Sequence, residues 1–198
     1  MSSRIIDKDM NRKQSLIERA VDYIFKHGYT NATVGNIAKH AGVSKGIITY
    51  YFPKKNDMMD EIVDDLYAKG ADFMSVYWKE DDPAPKMLED YIRSSLHFAM
   101  FNKKQVNVVT QIFSNCRNED GRLRYENVEP MYEPFIHLFQ KGQKDHDFWG
   151  FSPKLMAMIL RWVTDHMAIY LTKKEKSSSL EQEIDEVVRL FLKATEND

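Results

Sequence analysis

With one cysteine in 198 residues, Cys116, the chain has no internal disulfide framework and no thiolate cluster for a metal. That cysteine reads as a small buried hydrophobe of a reducing compartment. Long apolar runs are missing too. The longest, Leu155 to Leu160, falls far short of the roughly 18 residues that suggest a membrane span. No segment resembles a signal peptide, so a cytoplasmic protein with no membrane partner is expected. Nucleophile–base spacings, metal-ligand clusters and glycine-rich phosphate loops are absent as well, which argues against an enzyme and leaves no cofactor and no metal to expect. Acidic residues are scarce at one end only. Residues 1–55 hold 10 Lys and Arg against 4 Asp and Glu, a balance of +6, and the rest holds 18 against 26, a balance of −8. A basic first quarter on an acidic body suits one end that faces a polyanion.

What is present is helix after helix, with almost no strand alternation. Leu16, Ile17, Ala20, Val21, Ile24 and Phe25 lie at the three-and-four spacing of one apolar face, predicting a helix over 10–27 closed by Gly28. Thr33 can cap a short second helix, Gly42 breaks the chain, and Ser44 can cap a third helix through Tyr51. A long fourth helix follows Pro53 and ends at the acidic link Glu80 to Pro85. Further helices are predicted near 86–101, 103–115 and 123–141, with Pro130 and Pro134 shifting or kinking the last. Ser152-Pro153 opens a helix to about Lys173, and the capping box from Ser179 opens another through Lys193. The only low-complexity stretch is Ser177 to Ser179. The fold class is all-α.

Two short helices joined by a tight glycine-containing turn, the second with polar residues exposed at its start, describe a helix-turn-helix. Gly42 supplies the positive φ of the turn, and Gly46 removes a side chain where backbone or DNA must come close. Ser44 offers a hydroxyl, Lys45 a charge, and Thr49, Tyr50 and Tyr51 hydroxyls for phosphates or base edges. Thr33 places a hydroxyl and backbone N–H groups toward an anion, and Lys54 and Lys55 do the same from the next helix start.

These residues, from Phe25-x-x-Gly28-Tyr29 through Ala32-Thr33-Val34, Ile37-Ala38, Ala41-Gly42-Val43-Ser44-x-Gly46 and Tyr51-Phe52 to Lys55, resemble the signature of the TetR family of transcriptional regulators. The resemblance covers about residues 12–60. Many members have tyrosine where this chain has Thr49, which shortens the reach to phosphate and favours a base contact there. The resemblance implies an N-terminal three-helix DNA-binding domain, set at residues 1–53. It also implies a larger helical body, 54–198, that dimerises through its last two helices and encloses an effector pocket. Most members repress, and leave a palindromic operator when a small molecule binds.

In that body the predicted helix from Ser152 is apolar nearly all round. One side has Leu155, Ile159, Trp162, His166 and Ile169; another has Met156, Leu160, Val163, Met167 and Leu171. Leu160, Val163 and Met167, with Ile184, Val187, Val188 and Phe191 of the last helix, are the expected dimer interface. Phe73, Tyr77, Tyr91, Phe98, Met131, Trp162 and His166 are the expected effector contacts, although aromatic and methionine stripes are more often plain core. Asp165 sits four residues after Arg161 and is expected to pair with it. With no arginine or lysine cluster beyond residue 70, a neutral hydrophobic or a cationic effector is favoured. The alternative is a DNA-bound protein on the same scaffold that recruits a protein partner without a small-molecule effector.

Overall fold

The structure, a computed structural model, describes residues 2–79, 81–125, 129–174 and 179–197. Glu80 of the acidic link and Ser177 and Ser178 of the serine run lie outside the described residues. The chain forms α1 (Ser2–His27), α2 (Val34–Ala41), α3 (Lys45–Tyr51), α4 (Lys55–Ser75), α5 (Ala84–Phe101), α6 (Lys103–Asn115), α7 (Glu133–Lys144), α8 (Pro153–Thr172) and α9 (Ser179–Thr195), with 3-10 turns at Tyr29–Asn31 and Glu129–Tyr132. The fold is all-α, with an N-terminal helix-turn-helix followed by a helical C-terminal region. Most predicted boundaries hold to within a few residues. The predicted helix over 123–141 does not: α7 begins only at Glu133, with Pro134 in its first turn, where a missing N–H is harmless.

By packing, the chain divides into two compact units, Met1–Ala68 with Lys104–Glu126, and Lys69–Lys103 with Asn127–Asp198. This differs from a cut after residue 53, because α6 and the first two thirds of α4 pack with the N-terminal helices. In the first unit the predicted apolar face of α1 is buried through Leu16, Ile17, Ala20, Val21 and Ile24. Phe25, counted with that face, is instead an exposed ring. Ile37 and Ala38 of α2, Ile48 of α3, and Met58, Met59 and Ile62 of α4 are buried in the same unit, as are Val108 and Ile112 of α6.

The segment after α6 is a short hairpin rather than helix. Arg117 and Leu123 pair antiparallel, Asn118 donates to the Arg122 carbonyl at 2.9 Å, and Gly121 turns the chain at φ 83°. Ion pairing fixes it to α4. Arg124 donates to both oxygens of Asp60, at 2.7 and 2.5 Å, and the Tyr125 hydroxyl adds a third bond at 2.6 Å. These bonds hold the 123–125 stretch, placed inside a predicted helix, in the hairpin instead.

In the second unit α5 packs on α8 and α9, and α7 packs on α8. Leu88, Ile92 and Leu96 of α5, Leu138 and Phe139 of α7, and Leu160 and Leu171 of α8 form one core with Ile184, Val188 and Phe191 of α9. Gly142 is required there, since a Cβ would stand 2.1 Å from the Phe148 ring. Cys116 is buried, as its reading as a hydrophobe requires.

Candidate nucleic-acid interface

The reading unit is built by two caps and a turn. The Thr33 hydroxyl accepts from the Asn36 N–H at 3.1 Å and starts α2; the Ser44 hydroxyl accepts from the Ile47 N–H at 3.4 Å and starts α3. Between the two helices Gly42 lies at φ 67°, ψ 30°, the left-handed conformation that an L side chain resists. Its N–H closes α2 on the Lys39 carbonyl, and the Val43 N–H returns to Ala38 at 3.0 Å. Buried Ile37, Ala38 and Ile48 fasten the two helices from beneath, leaving the start of α3 outward.

Of the eight residues expected at DNA, three stand open. Lys45 and Gly46 are exposed, and Tyr50 is 74% exposed with its ring edge-on to Tyr51 at 5.0 Å. Thr33 and Ser44 are exposed caps whose hydroxyl oxygens accept from the helix starts they serve. The other three are engaged within the protein. Thr49 donates to the carbonyls of Lys45 and Gly46, both at 3.2 Å, turning its proton into its own helix. Tyr51 donates to Asp9 at 2.5 Å, which pushes its phenol up from the ordinary value. Lys55 lies with its ammonium 3.8 Å from the centre of the Tyr29 ring and donates to the Tyr29 carbonyl; burial lowers its pKa. Lys55 in this arrangement fixes the start of α4 to the Tyr29 turn instead of pointing out to phosphate.

Two features escaped sequence reasoning. Gly35, in the first turn of α2, is exposed, and a Cβ there would meet nothing nearer than Thr33 Oγ1 at 3.9 Å. Gly46 is similar, with Ser44 Oγ at 3.7 Å as the nearest atom. Glycine inside a helix costs roughly 1 kcal/mol relative to alanine. Nothing within the protein needs either one, so the open space is suited to a second molecule's backbone. The other feature is a charge hub under the reader. Asp22 of α1 accepts from Lys26 at 2.8 Å, Lys104 of α6 at 2.9 Å and His40 of α2 at 3.0 Å. Lys26 and Lys104 hold its carboxyl far below the ordinary range, against the opposing effect of burial, and His40 adds to them. Only the three-dimensional meeting of α1, α2 and α6 reveals it.

The residues expected at an effector do not converge. Phe73, Tyr77 and Phe98 form one aromatic group with Phe101, Phe73 lying 5.8 Å from Tyr77 and 5.7 Å from Phe98. Tyr91 is buried against Phe135 at 4.4 Å, and Met131 is half-buried in the turn before α7. Trp162 and His166 face solvent, with His166 Nδ1 donating to the Trp162 carbonyl at 2.8 Å. A surface cleft of about 560 Å3 runs between α5 and α9, past Arg93, Asp185, Val188 and Arg189, and contains none of the seven.

The residues expected at a dimer interface are largely packed within their own chain. Leu160, Ile184, Val187, Val188 and Phe191 lie in the chain's own core, with Val163 and Met167 packed against it. The first five are covered by their own chain, whereas Val163 and Met167 remain partly exposed. The stripe of α8 left outward is the other one: Leu155 at 55%, Ile159 at 38%, Trp162 at 53% and Tyr170 at 46% exposure, joined by exposed His166. Among the described residues no group of His, Cys, Asp and Glu could hold a metal ion, and no helix is long and apolar enough to cross a membrane.

A capped helix-turn-helix whose second helix exposes Lys45 and Tyr50 has the form of the DNA-reading unit of a transcriptional regulator. Residues 16–62 match the sequence model of the family described as bacterial regulatory proteins, tetR family. The chain is 26% identical over 152 residues to the HTH-type transcriptional regulator BetI 2 of Chromohalobacter salexigens, covering 75% of this chain and 73% of that one. Its fold is shared by a tetR-family regulatory protein from Rhodococcus RHA1, at TM-score 0.77, 14% identity and coverage of 94% and 97%. It is shared also by AibR, solved with isovaleryl coenzyme A and operator DNA, at TM-score 0.71, 14% identity and coverage of 90% and 97%. The N-terminal segment is therefore similar to that family's DNA-binding region, and the chain as a whole shares the fold of regulators solved in the same family.

Proposed function

We propose that the protein is a homodimeric repressor of the cytoplasm that binds a palindromic operator and leaves it when a small molecule binds its C-terminal body. The exposed stripe of Leu155, Ile159, Trp162 and Tyr170 carries the dimer part of this reading. Four large apolar side chains in line on one helix are a surface that a symmetry mate would cover. Each protomer then sets α3 in a major groove, with Lys45 and Tyr50 against phosphates or base edges and Gly35 and Gly46 admitting the DNA backbone. Thr33 and Ser44 add phosphate contacts through their hydroxyl protons, whereas Thr49, Tyr51 and Lys55 support the reader from within.

AibR was solved with both a coenzyme A thioester and operator DNA, which supports a ligand-responsive body on this scaffold. In this chain the effector acts by favouring a spacing of the two α3 helices that does not fit one operator. A shift from mostly bound to mostly free needs a difference in effector affinity worth several kcal/mol between the two states. α4, whose residues belong to both units, is the element that carries the change. The test is size measurement by light scattering, with and without operator duplex. Dimers in solution and an even number of protomers on the palindrome are expected. A monomer that binds a single half-site as tightly as the palindrome would refute the dimeric reading.

A further inference from the structure

α1 is held in two ways along its length. From Leu16 to Ile24 apolar packing buries one face, but between Asp9 and Gln14 no side chain is fully buried. Polar side chains tie down that earlier stretch. Gln14 donates to Asp65 at 3.1 Å and Lys13 to Glu61 at 2.5 Å, both on α4. The Lys13 ammonium also stands 5.9 Å from the centre of the Phe52 ring. Asp9, one turn earlier, reaches α3, where it accepts from the Tyr51 hydroxyl at 2.5 Å. That is the length of a charge-assisted O–H···O bond. It joins positions 42 residues apart, yet it lies exposed. Exposed charged contacts contribute little to stability, because ordering the two side chains offsets most of the gain.

What the bond does is fix a ring. Tyr51 is tilted against buried Phe52 at 6.4 Å on one side and meets Tyr50 edge-on, at 5.0 Å and 89°, on the other. This is a preferred arrangement of two aromatic rings. Tyr50 is 74% exposed, and among the described residues Tyr51 is the only ring it meets. Asp9, Tyr51 and Tyr50 therefore form a relay from α1 to the most exposed large side chain of the reading helix. An exposed tyrosine that must be ordered on binding costs affinity, and one already set does not. Asp9 also carries a cost of its own. It is one of four acidic residues among the first 55, and a carboxylate beside a DNA-binding helix repels phosphate on any sequence.

We propose that Asp9 is a positioning residue for sequence recognition, which acts through Tyr51 to pre-set the Tyr50 ring against the operator. The proposal rests on the reading above in which α3 meets DNA through Tyr50, and it adds α1 to the determinants of specificity. Asp9 weakens attraction to DNA in general and strengthens binding to one sequence, so its effect is on the ratio of the two.

The test is fluorescence anisotropy of the full-length protein on an operator selected from random duplex DNA and on an unrelated duplex of the same length. Asp9→Ala should weaken operator binding by about two- to tenfold and leave the unrelated duplex bound at least as tightly. Asp9→Asn, whose amide oxygen can accept the same phenol proton, should keep most of the operator affinity. Tyr51→Phe, which keeps the ring and loses its anchor, should repeat the Asp9→Ala loss. In a Tyr50→Ala background, Asp9→Ala should cost nothing further on the operator. A merely structural role would lower both affinities together. Equal gains on both duplexes in Asp9→Ala, an equal loss in Asp9→Asn, or a loss that persists in the Tyr50→Ala background would overturn the proposal. Tyr50→Ala binding the operator like wild type would remove the reading through Tyr50 itself. A Tyr50→Ala loss that Asp9→Ala does not share would remove the relay and keep that reading.

Discussion

Gly46 separates stability from function at a single position. The helix around it has room for a methyl group, the nearest atom to a built Cβ being 3.7 Å away. Gly46→Ala should therefore raise stability by about 0.5–1 kcal/mol, because the unfolded chain loses freedom and the helix gains propensity. The same methyl would push DNA from α3, weakening operator binding by about tenfold if the clash resembles ordinary overpacking. Melting and fluorescence anisotropy on the one variant check both halves, and an affinity equal to wild type would show that DNA does not approach there. Asp22 offers a pH test. Lys26 and Lys104, with His40, hold its folded-state carboxyl below the ordinary value. A depressed carboxyl contributes fully above the ordinary range, about pH 4, and its contribution is lost as pH falls toward the folded value. Asp22→Asn should be less stable than wild type in urea at pH 7, and the gap should narrow below about pH 4.

At the scale of elements, α8 decides how much a sequence can say. Its length, its Ser152 cap and Pro153 start, and its Arg161–Asp165 pair at 3.2 Å are all legible in the residues. Its orientation is not. Both of its stripes are apolar, so hydrophobic periodicity cannot distinguish the side facing α5 and α7 from the side facing out. Packing places Leu160 inside and Trp162 outside, the reverse of the assignment read from the sequence. The reader was more legible because its signals are local: a cap, a positive-φ glycine and a second cap fix α2 and α3 within about 20 residues. Where distant segments meet, as Asp22 meets Lys104 or Asp60 meets Arg124, no short-range pattern could have shown it. The outward stripe gives a paired prediction. Ile159→Glu with Trp162→Glu should leave the helical circular dichroism unchanged and convert the protein to monomers in light scattering. Leu160→Ala should cost about 2–5 kcal/mol in stability and leave the oligomer as it was.

On the whole-molecule scale, the charge asymmetry sets how the protein meets DNA. The basic first quarter carries a balance of +6 on a chain of net charge −2, so the body repels the polyanion that the reader attracts. Affinity should fall steeply with salt, by roughly 0.9 in log–log slope for each phosphate neutralised. Lys45→Ala should flatten that slope by about one phosphate per protomer while weakening specific and non-specific DNA alike. Tyr50→Ala, if the ring reads a base edge, should weaken the operator more than unrelated duplex.

The central claim is that α3, presented twice by a two-fold dimer, reads a defined sequence. It is tested most directly by selecting binding sites from random duplex DNA with purified wild-type protein and with the Ile159→Glu, Trp162→Glu variant. Enrichment of one palindrome by the wild type, with the variant losing the two-fold pattern, is the predicted result. Salt-sensitive binding that enriches no sequence, or a palindrome selected equally well by the monomeric variant, would contradict it.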